Sequence, residues 1–161
     1  MKTAVIFYSY EGNTKFTARA IAKSLKADLI ELKPINEMQS RGFMKYVWGG
    51  KSAIMKESPT LTNYSFDASK YELIILGTPI WANTITPPLR SFLKEQNLSS
   101  LKCALFCCHA GGGIRKAPQE VEKILGQKLI GIFDLINPFA KKDTDAVRNA
   151  ENWAVSLTQQ Q

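Results

Sequence analysis

The residues whose types and spacing could do chemistry are gathered in three short stretches. The first, Ser9-Tyr10-Glu11-Gly12-Asn13-Thr14, places hydroxyls, an amide and a glycine between an apolar run and a helix-like pattern. It contains no lysine or arginine; Lys15 lies just outside. Successive N–H groups at a helix N-terminus form a concave donor surface for an anion, and neutral side-chain donors complete it without a cation. The chemistry on offer is capture of a phosphate monoester. A tight strand-to-helix turn capped by Ser9 or Asn13 is the alternative. Neither G-x-G-x-x-G nor G-x-x-x-x-G-K-S/T occurs, so neither the dinucleotide nor the nucleoside-triphosphate pattern is met.

The second stretch, Thr78-Pro79-Ile80-Trp81, follows an apolar run. A large ring past a strand end needs a partner. Stacking on a flat aromatic ligand supplies one, and packing under a loop or in a subunit contact supplies another. The third, His109-Ala110-Gly111-Gly112-Gly113, removes side chains, so that backbone can approach a flat ligand and offer N–H groups to its polar edge. His109 is the only histidine. It could tune or hydrogen-bond such a ligand, or sit half in solvent.

The elements that must position these stretches alternate. Residues 3–9, 28–33, 71–77, 102–108 and 128–138 read as strands, nearly all continuous apolar runs. Residues 13–27, 86–97, 114–126 and 143–158 read as helices, the third starting properly near Pro118 and the last capped by Asp143 or Thr144. Strand–helix alternation with apolar strands predicts an α/β three-layer, doubly wound parallel sheet, with helices on both faces. Ligands of such sheets bind beyond the carboxyl ends of the strands, so one site built from all three stretches is expected. The connection 34–70 is long, and its Tyr46 and Trp48 could cover a ligand, anchor the segment or form a dimer contact.

At 161 residues the chain, 1–161, is expected to form one domain. No run approaches the roughly 20 apolar residues of a membrane span, and the start lacks a signal-cleavage pattern, so a cytoplasmic protein without a membrane partner is expected. Cys103, Cys107 and Cys108 share one apolar run without metal-site spacing, and read as buried, reduced thiols. The formal net charge of +7 suits an anionic partner or cofactor. Its lysines are scattered and lack a basic-aromatic motif, which argues against nucleic acid.

"SYEGNT" resembles the Ser/Thr-x-x-Gly-Asn-Thr phosphate loop of the flavodoxin family. "GTPIW" followed by "PPLRSFL", and "ALFCCHAGGG", resemble that family's second and third loops with their flanking elements, in the same order. The resemblance covers nearly the whole chain and is to the short-chain type. It implies a five-stranded parallel sheet of order 2-1-3-4-5 and non-covalent FMN. Ser9, Tyr10, Glu11, Gly12, Asn13 and Thr14 would hold the phosphate. Thr78, Pro79, Ile80 and Trp81 would flank the isoalloxazine, with Trp81 stacking. His109, Ala110, Gly111, Gly112 and Gly113 would meet its other side or pyrimidine edge.

The resemblance implies an electron-transfer protein with no catalytic side chain, exchanging electrons with a redox partner protein. The alternative is an NAD(P)H-dependent FMN or quinone reductase of the same fold. Monomer and homodimer are both open. Two features depart from the family pattern. The chain is basic where typical members are acidic. No glycine lies between Gly77 and Pro88, where a loop peptide usually turns toward the flavin; Ala82 and Asn83 stand there instead.

Overall fold

A computed structural model describes residues 1–35, 58–62 and 64–159. Five strands form one parallel sheet of order β2-β1-β3-β4-β5: β1 Thr3–Phe7, β2 Asp28–Glu31, β3 Leu73–Pro79, β4 Lys102–His109 and β5 Gly131–Ile136. Four described α-helices cover it: α1 Asn13–Leu25, α2 Pro87–Glu95, α3 Ala117–Leu125 and α4 Thr144–Leu157. This is the expected doubly wound architecture.

Alternation along the central strands splits the core in two. Val5 and Phe7, Leu73 and Ile75, and Ala104, Phe106 and Cys108 face α1 and α4, meeting Ile21, Ala150 and Leu157. Ala4 and Ile6, Ile74 and Leu76, and Cys103, Leu105 and Cys107 face α2 and α3, meeting Leu89, Phe92 and Val121. Adjacent Cys107 and Cys108 therefore enter opposite layers. All three cysteines are free and buried. Burial pushes the Cys103 and Cys108 thiols up to about 12 and that of Cys107 well above its ordinary value.

Several elements are shorter than the sequence pattern predicts. β1 stops at Phe7, although Tyr8 N–H still reaches the Gly77 carbonyl at 3.1 Å. α3 begins at Ala117, where the proline signal places its start, because a proline is tolerated only in a helix's first turn. Asp143, rather than Thr144, caps α4, accepting from Ala146 N–H at 2.9 Å. The edge strands β2 and β5 are not continuously buried: Leu29, Ile132 and Ile136 are exposed. Between α2 and α3, the Arg90 guanidinium donates to Glu120 Oε1 at 2.6 Å.

Gly77 on β3 explains the close approach of its neighbours. A Cβ there would run into the Phe106 ring and come within 2.9 Å of Phe7 Cβ. Among the described residues, no helix is long and apolar enough to cross a membrane.

Candidate functional site

Parallel strands end at one edge, so the loops leaving β1, β3 and β4 are neighbours there. They enclose a cleft of about 600 Å³, counting its open mouth. Ser9, Tyr10, Glu11, Asn13 and Thr14 line it from the first loop, Pro79, Ile80 and Trp81 from the second, and Cys108, His109 and Ala110 from the third, with Asn137 after β5. Most of the sequence-predicted site residues therefore meet in one place. The others, Gly12, the buried Thr78, and Gly111, Gly112 and Gly113, do not line this cleft. Tyr46 and Trp48 fall outside the described residues.

The first loop is shaped by Gly12, whose φ of 96° is left-handed. A Cβ there would lie 3.2 Å from the Phe139 ring. The Gly12 carbonyl accepts from Phe16 N–H at 2.9 Å, and Ser9 Oγ accepts from Lys15 N–H at 3.1 Å. Asn13 Oδ1 accepts from the N–H groups of Phe139, at 3.0 Å, and Ala140, at 3.3 Å, tying the loop after β5 to the start of α1. The N–H groups of Asn13 and Thr14 have no hydrogen-bond partner among the described residues. Thr14 Oγ1 is buried and likewise unpartnered. Its neighbour is the Cys108 thiol, whose upward shift the Thr14 and Thr17 hydroxyls partly offset. A thiol is a poor partner for a buried hydroxyl. Lys15 turns away: its Nζ meets Glu31 Oε2 at 2.8 Å. The mouth of α1 thus offers two N–H groups and a hydroxyl with no cation among them, a donor set that fits a phosphate.

The second loop doubles back as a small hairpin. Trp81 and Thr84 exchange two backbone bonds of 3.0 Å, and the central residues Ala82 and Asn83 have φ of 44° and 69°. Both are left-handed without being glycine. The Asn83 carbonyl accepts from Lys116 N–H at 3.1 Å, joining the hairpin to the entry of α3. The Thr78 hydroxyl lies within 3.0 Å of that of Thr86 and accepts from Thr86 N–H at 3.2 Å. It holds the returning chain rather than facing the cleft. Trp81 is only 7% exposed and packs edge-on against Tyr8 and Tyr10, with centroids 5.7 Å away in each case. It is a wall of the site, and Tyr10, at 37% exposed, is the ring at the mouth.

In the third loop the histidine faces inward. His109 is 7% exposed. Its Nε2 lies 3.0 Å from Asp134 Oδ2, and its Nδ1 lies 3.0 Å from Gly111 N and 3.3 Å from Gly113 N. Two of the three glycine N–H groups expected to face a ligand are therefore turned onto the imidazole. Arg115 Nε donates to the Gly112 carbonyl at 2.6 Å on the loop's far side.

Asp134 and Asn137 carry no expectation from the sequence, and Cys108 is expected only as a buried thiol, not as a residue of the site. Asp134 had a signal, as the only charged side chain in β5, between Ile132 and Ile136. Asn137 had none: its position comes from a left-handed φ of 45° and its N–H bond to the His109 carbonyl at 3.0 Å. Among the described residues, no group of three or more His, Cys, Asp or Glu side chains could hold a metal.

The family model described as flavodoxin matches residues 2–152. No curated protein sequence matches the chain. Solved structures do. A Bacteroides uniformis protein described as a candidate flavoprotein superposes with a TM-score of 0.78 at 18% identity, covering 94% of this chain and 96% of that one. A Lactobacillus acidophilus flavoprotein in complex with FMN gives 0.64 at 23% identity, over 87% and 97%. A flavodoxin, WrbA-like protein of Agrobacterium tumefaciens gives 0.64 at 16% identity, over 99% of both.

Proposed function

The chain belongs to the flavodoxin family, and we propose that it holds FMN in the three-loop cleft and serves as an electron-transfer protein. The observation that carries this reading is the set of unpartnered donors at the mouth of α1: Asn13 N–H, Thr14 N–H and the buried Thr14 hydroxyl. A buried polar group left unmade costs about 1–3 kcal/mol, and a phosphate at this point would satisfy all three. The matched Lactobacillus acidophilus protein is one crystallised with FMN, which supports the same ligand here.

When bound, the isoalloxazine supplies the redox chemistry. The protein's part is to bind and orient it. The α1 mouth takes the phosphate, Trp81 and Tyr10 form an aromatic wall, and Pro79, Ile80 and Ala110 keep the cleft apolar toward the ring. No side chain is assigned an acid or base role in this reading.

Electrons cross only where a partner can approach the cleft, so the charge around its mouth selects that partner. Arg115, Lys116, Lys141 and Lys142 are exposed on the loops after β4 and β5, and none has a carboxylate partner among the described residues. With the net charge of +7, this favours an acidic redox protein.

The decisive experiment is the visible spectrum of the protein purified without added flavin and after incubation with FMN. Flavin bands that persist through gel filtration are expected. A colourless protein that takes up no FMN at micromolar concentration overturns the reading.

A second reading, an NAD(P)H-dependent reductase of FMN or quinone, is favoured by the Ala82–Asn83 turn. Both residues already have left-handed φ, and the turn is fastened by three backbone bonds. A loop so fastened has little freedom to rearrange on uptake of a single electron. Prompt anaerobic oxidation of NADPH by the FMN-loaded protein would select this reading. Inertness to NADPH with facile exchange with an acidic redox protein would select the carrier.

A further inference from the structure

We propose that His109, oriented by Asp134, is a positioning residue that folds the three-glycine loop and makes cofactor binding fall on acidification. For its ligand, though not for its loop geometry, this rests on the FMN reading above.

The hydrogen bonds fix the state of the ring. Nδ1 faces two N–H donors, Gly111 at 3.0 Å and Gly113 at 3.3 Å, so it must present a lone pair. Nε2 faces the Asp134 carboxylate at 3.0 Å, so it must carry the proton. The imidazole is thus neutral, its tautomer set by a carboxylate on the neighbouring strand. The ring is almost wholly buried, its side chain 5% exposed, whereas Asp134 is 54% exposed. Register accounts for the pairing: His109 stands beside Ile136 and Cys107 beside Asp134 on one face of the sheet, so the carboxylate lies one pleat back from the imidazole.

Three consecutive glycines have little preference of their own. Gly111 and Gly113 hold left-handed φ of 114° and 76°, and a Cβ on any of the three would meet nothing within 4 Å. Packing does not shape this segment. Its fastenings are the two bonds to Nδ1 and the Arg115 bond to the Gly112 carbonyl, which is exposed. The loop begins at Ala110, which lines the cleft, so its position and the cleft's shape are linked.

A proton added at Nδ1 would set three donors against one another, and the loop would have to release the ring. The closed loop requires the unprotonated nitrogen and the open loop does not, so closure takes up one proton fewer. Closure is therefore favoured while Nδ1 is unprotonated and is lost on acidification, by up to about tenfold per pH unit. The charged and titratable groups on the elements around the ring include Asp134 on β5, Cys107 and Cys108 on β4, Glu11 across the cleft, Arg115 in the loop and Lys116 at the entry to α3. Burial keeps Cys107 protonated, so it adds no charge. Asp134 favours the charged ring, and it therefore sets how early in acidification the loop is released.

The test begins without cofactor. The chain has one histidine, so its ¹⁵N imidazole signals are unambiguous. At pH 8 they should show the Nε2-protonated tautomer, and the Gly111 and Gly113 amides should exchange about tenfold or more slower than Gly112. That protection should vanish as the ring titrates. FMN affinity should fall about tenfold or more between pH 8 and pH 5 in the wild type. His109→Ala should lose about tenfold at pH 8. His109→Asn, whose Oδ1 replaces the Nδ1 lone pair but cannot titrate, should restore most of that loss and give a flat pH profile. Asp134→Asn should move the wild-type fall to lower pH. An Nδ1-protonated ring at pH 8, unprotected Gly111 and Gly113 amides, or a His109→Asn profile matching the wild type would overturn the proposal. Failure of every form to take FMN would count against the function reading, while the tautomer and exchange measurements still decide this one.

Discussion

Replacing Thr14 by valine separates the ligand's requirements from those of the fold. Valine keeps the shape and the β-branch and deletes only Oγ1. In the folded chain that oxygen is buried without a partner among the described residues. An unmade buried hydroxyl costs about 1–3 kcal/mol. The Cys108 thiol beside it recovers a little, so the lower end applies. Thr14→Val is therefore expected to stabilise the FMN-free protein by about 1 kcal/mol, raising its midpoint by about 2–4 °C for a chain of this length. The same change removes one donor to the phosphate, and FMN affinity should fall about tenfold to a hundredfold. Riboflavin, which has no phosphate, should bind as before. Thermal melts of the cofactor-free forms, with fluorescence titrations of FMN and riboflavin, measure all three. A variant that is less stable yet binds FMN normally would refute the reasoning, because the hydroxyl would then serve the fold and not the ligand.

Asn13→Asp keeps the acceptor that fastens Phe139 and Ala140 but puts a negative charge at the α1 mouth. The melting point should change little, and FMN affinity should fall more than riboflavin affinity in parallel titrations. Ala82→Gly relieves a left-handed alanine at φ 44°, and is expected to stabilise the protein by up to about 1 kcal/mol in denaturant melts, against the usual sign for such a change. The three buried thiols give an alkaline limit. Their raised values mean that the unfolded chain releases protons that the folded chain keeps, so stability is full below the ordinary thiol range and falls as pH rises above about 8.5. Urea midpoints between pH 8 and pH 11 should decline, and a triple Cys→Ala variant, though less stable at pH 8, should decline less.

The fold was legible because the apolar runs are long and regularly spaced by helix signals. "TAVIF", "LIILG" and "CALFCC" read as strands buried on both faces, and such strands call for crossover helices on both sides of the sheet. The sequence pattern makes the edge strands too long and too buried because the alternation in "GIFDLI" resembles a continuous apolar run. At the site, "SYEGNT" declared itself through composition: polar groups with no charge partner, placed at the start of a helix. The direction of each donor was not legible. Asn13 gives its oxygen to the loop after β5, Thr78 is consumed by Thr86, and the glycine N–H groups turn to His109. The partner of Asn13 is set by tertiary packing, and those of Thr78 and the glycines by loop conformations that residue type alone does not fix. The Ala82–Asn83 turn was hidden for a related reason. Its conformation is one that Asn-Gly would announce, but Ala-Asn does not.

The distribution of backbone strain joins these findings. Among the described residues, the non-glycine positions with positive φ are Lys26, Ala82, Asn83, Arg115, Asn137 and Lys142. Lys26 ends α1, where a left-handed residue is usual. The other five lie in the three loops at the carboxyl edge, after β3, β4 and β5. Left-handed conformations cost roughly 1–2 kcal/mol for most residues and less for asparagine, so they persist only where the surroundings over-determine them. The determinants here are specific: Lys116 N–H on the Asn83 carbonyl, Asn137 N–H on the His109 carbonyl, and Asn13 Oδ1 on Phe139 N–H. Each runs from one loop to a neighbouring loop or to the strand end beside it. The cleft is consequently a mutually braced rim. Loosening one loop releases strain in that loop and removes a support from the next, which is why a proton on His109 or a charge on Asn13 should be felt across the whole mouth.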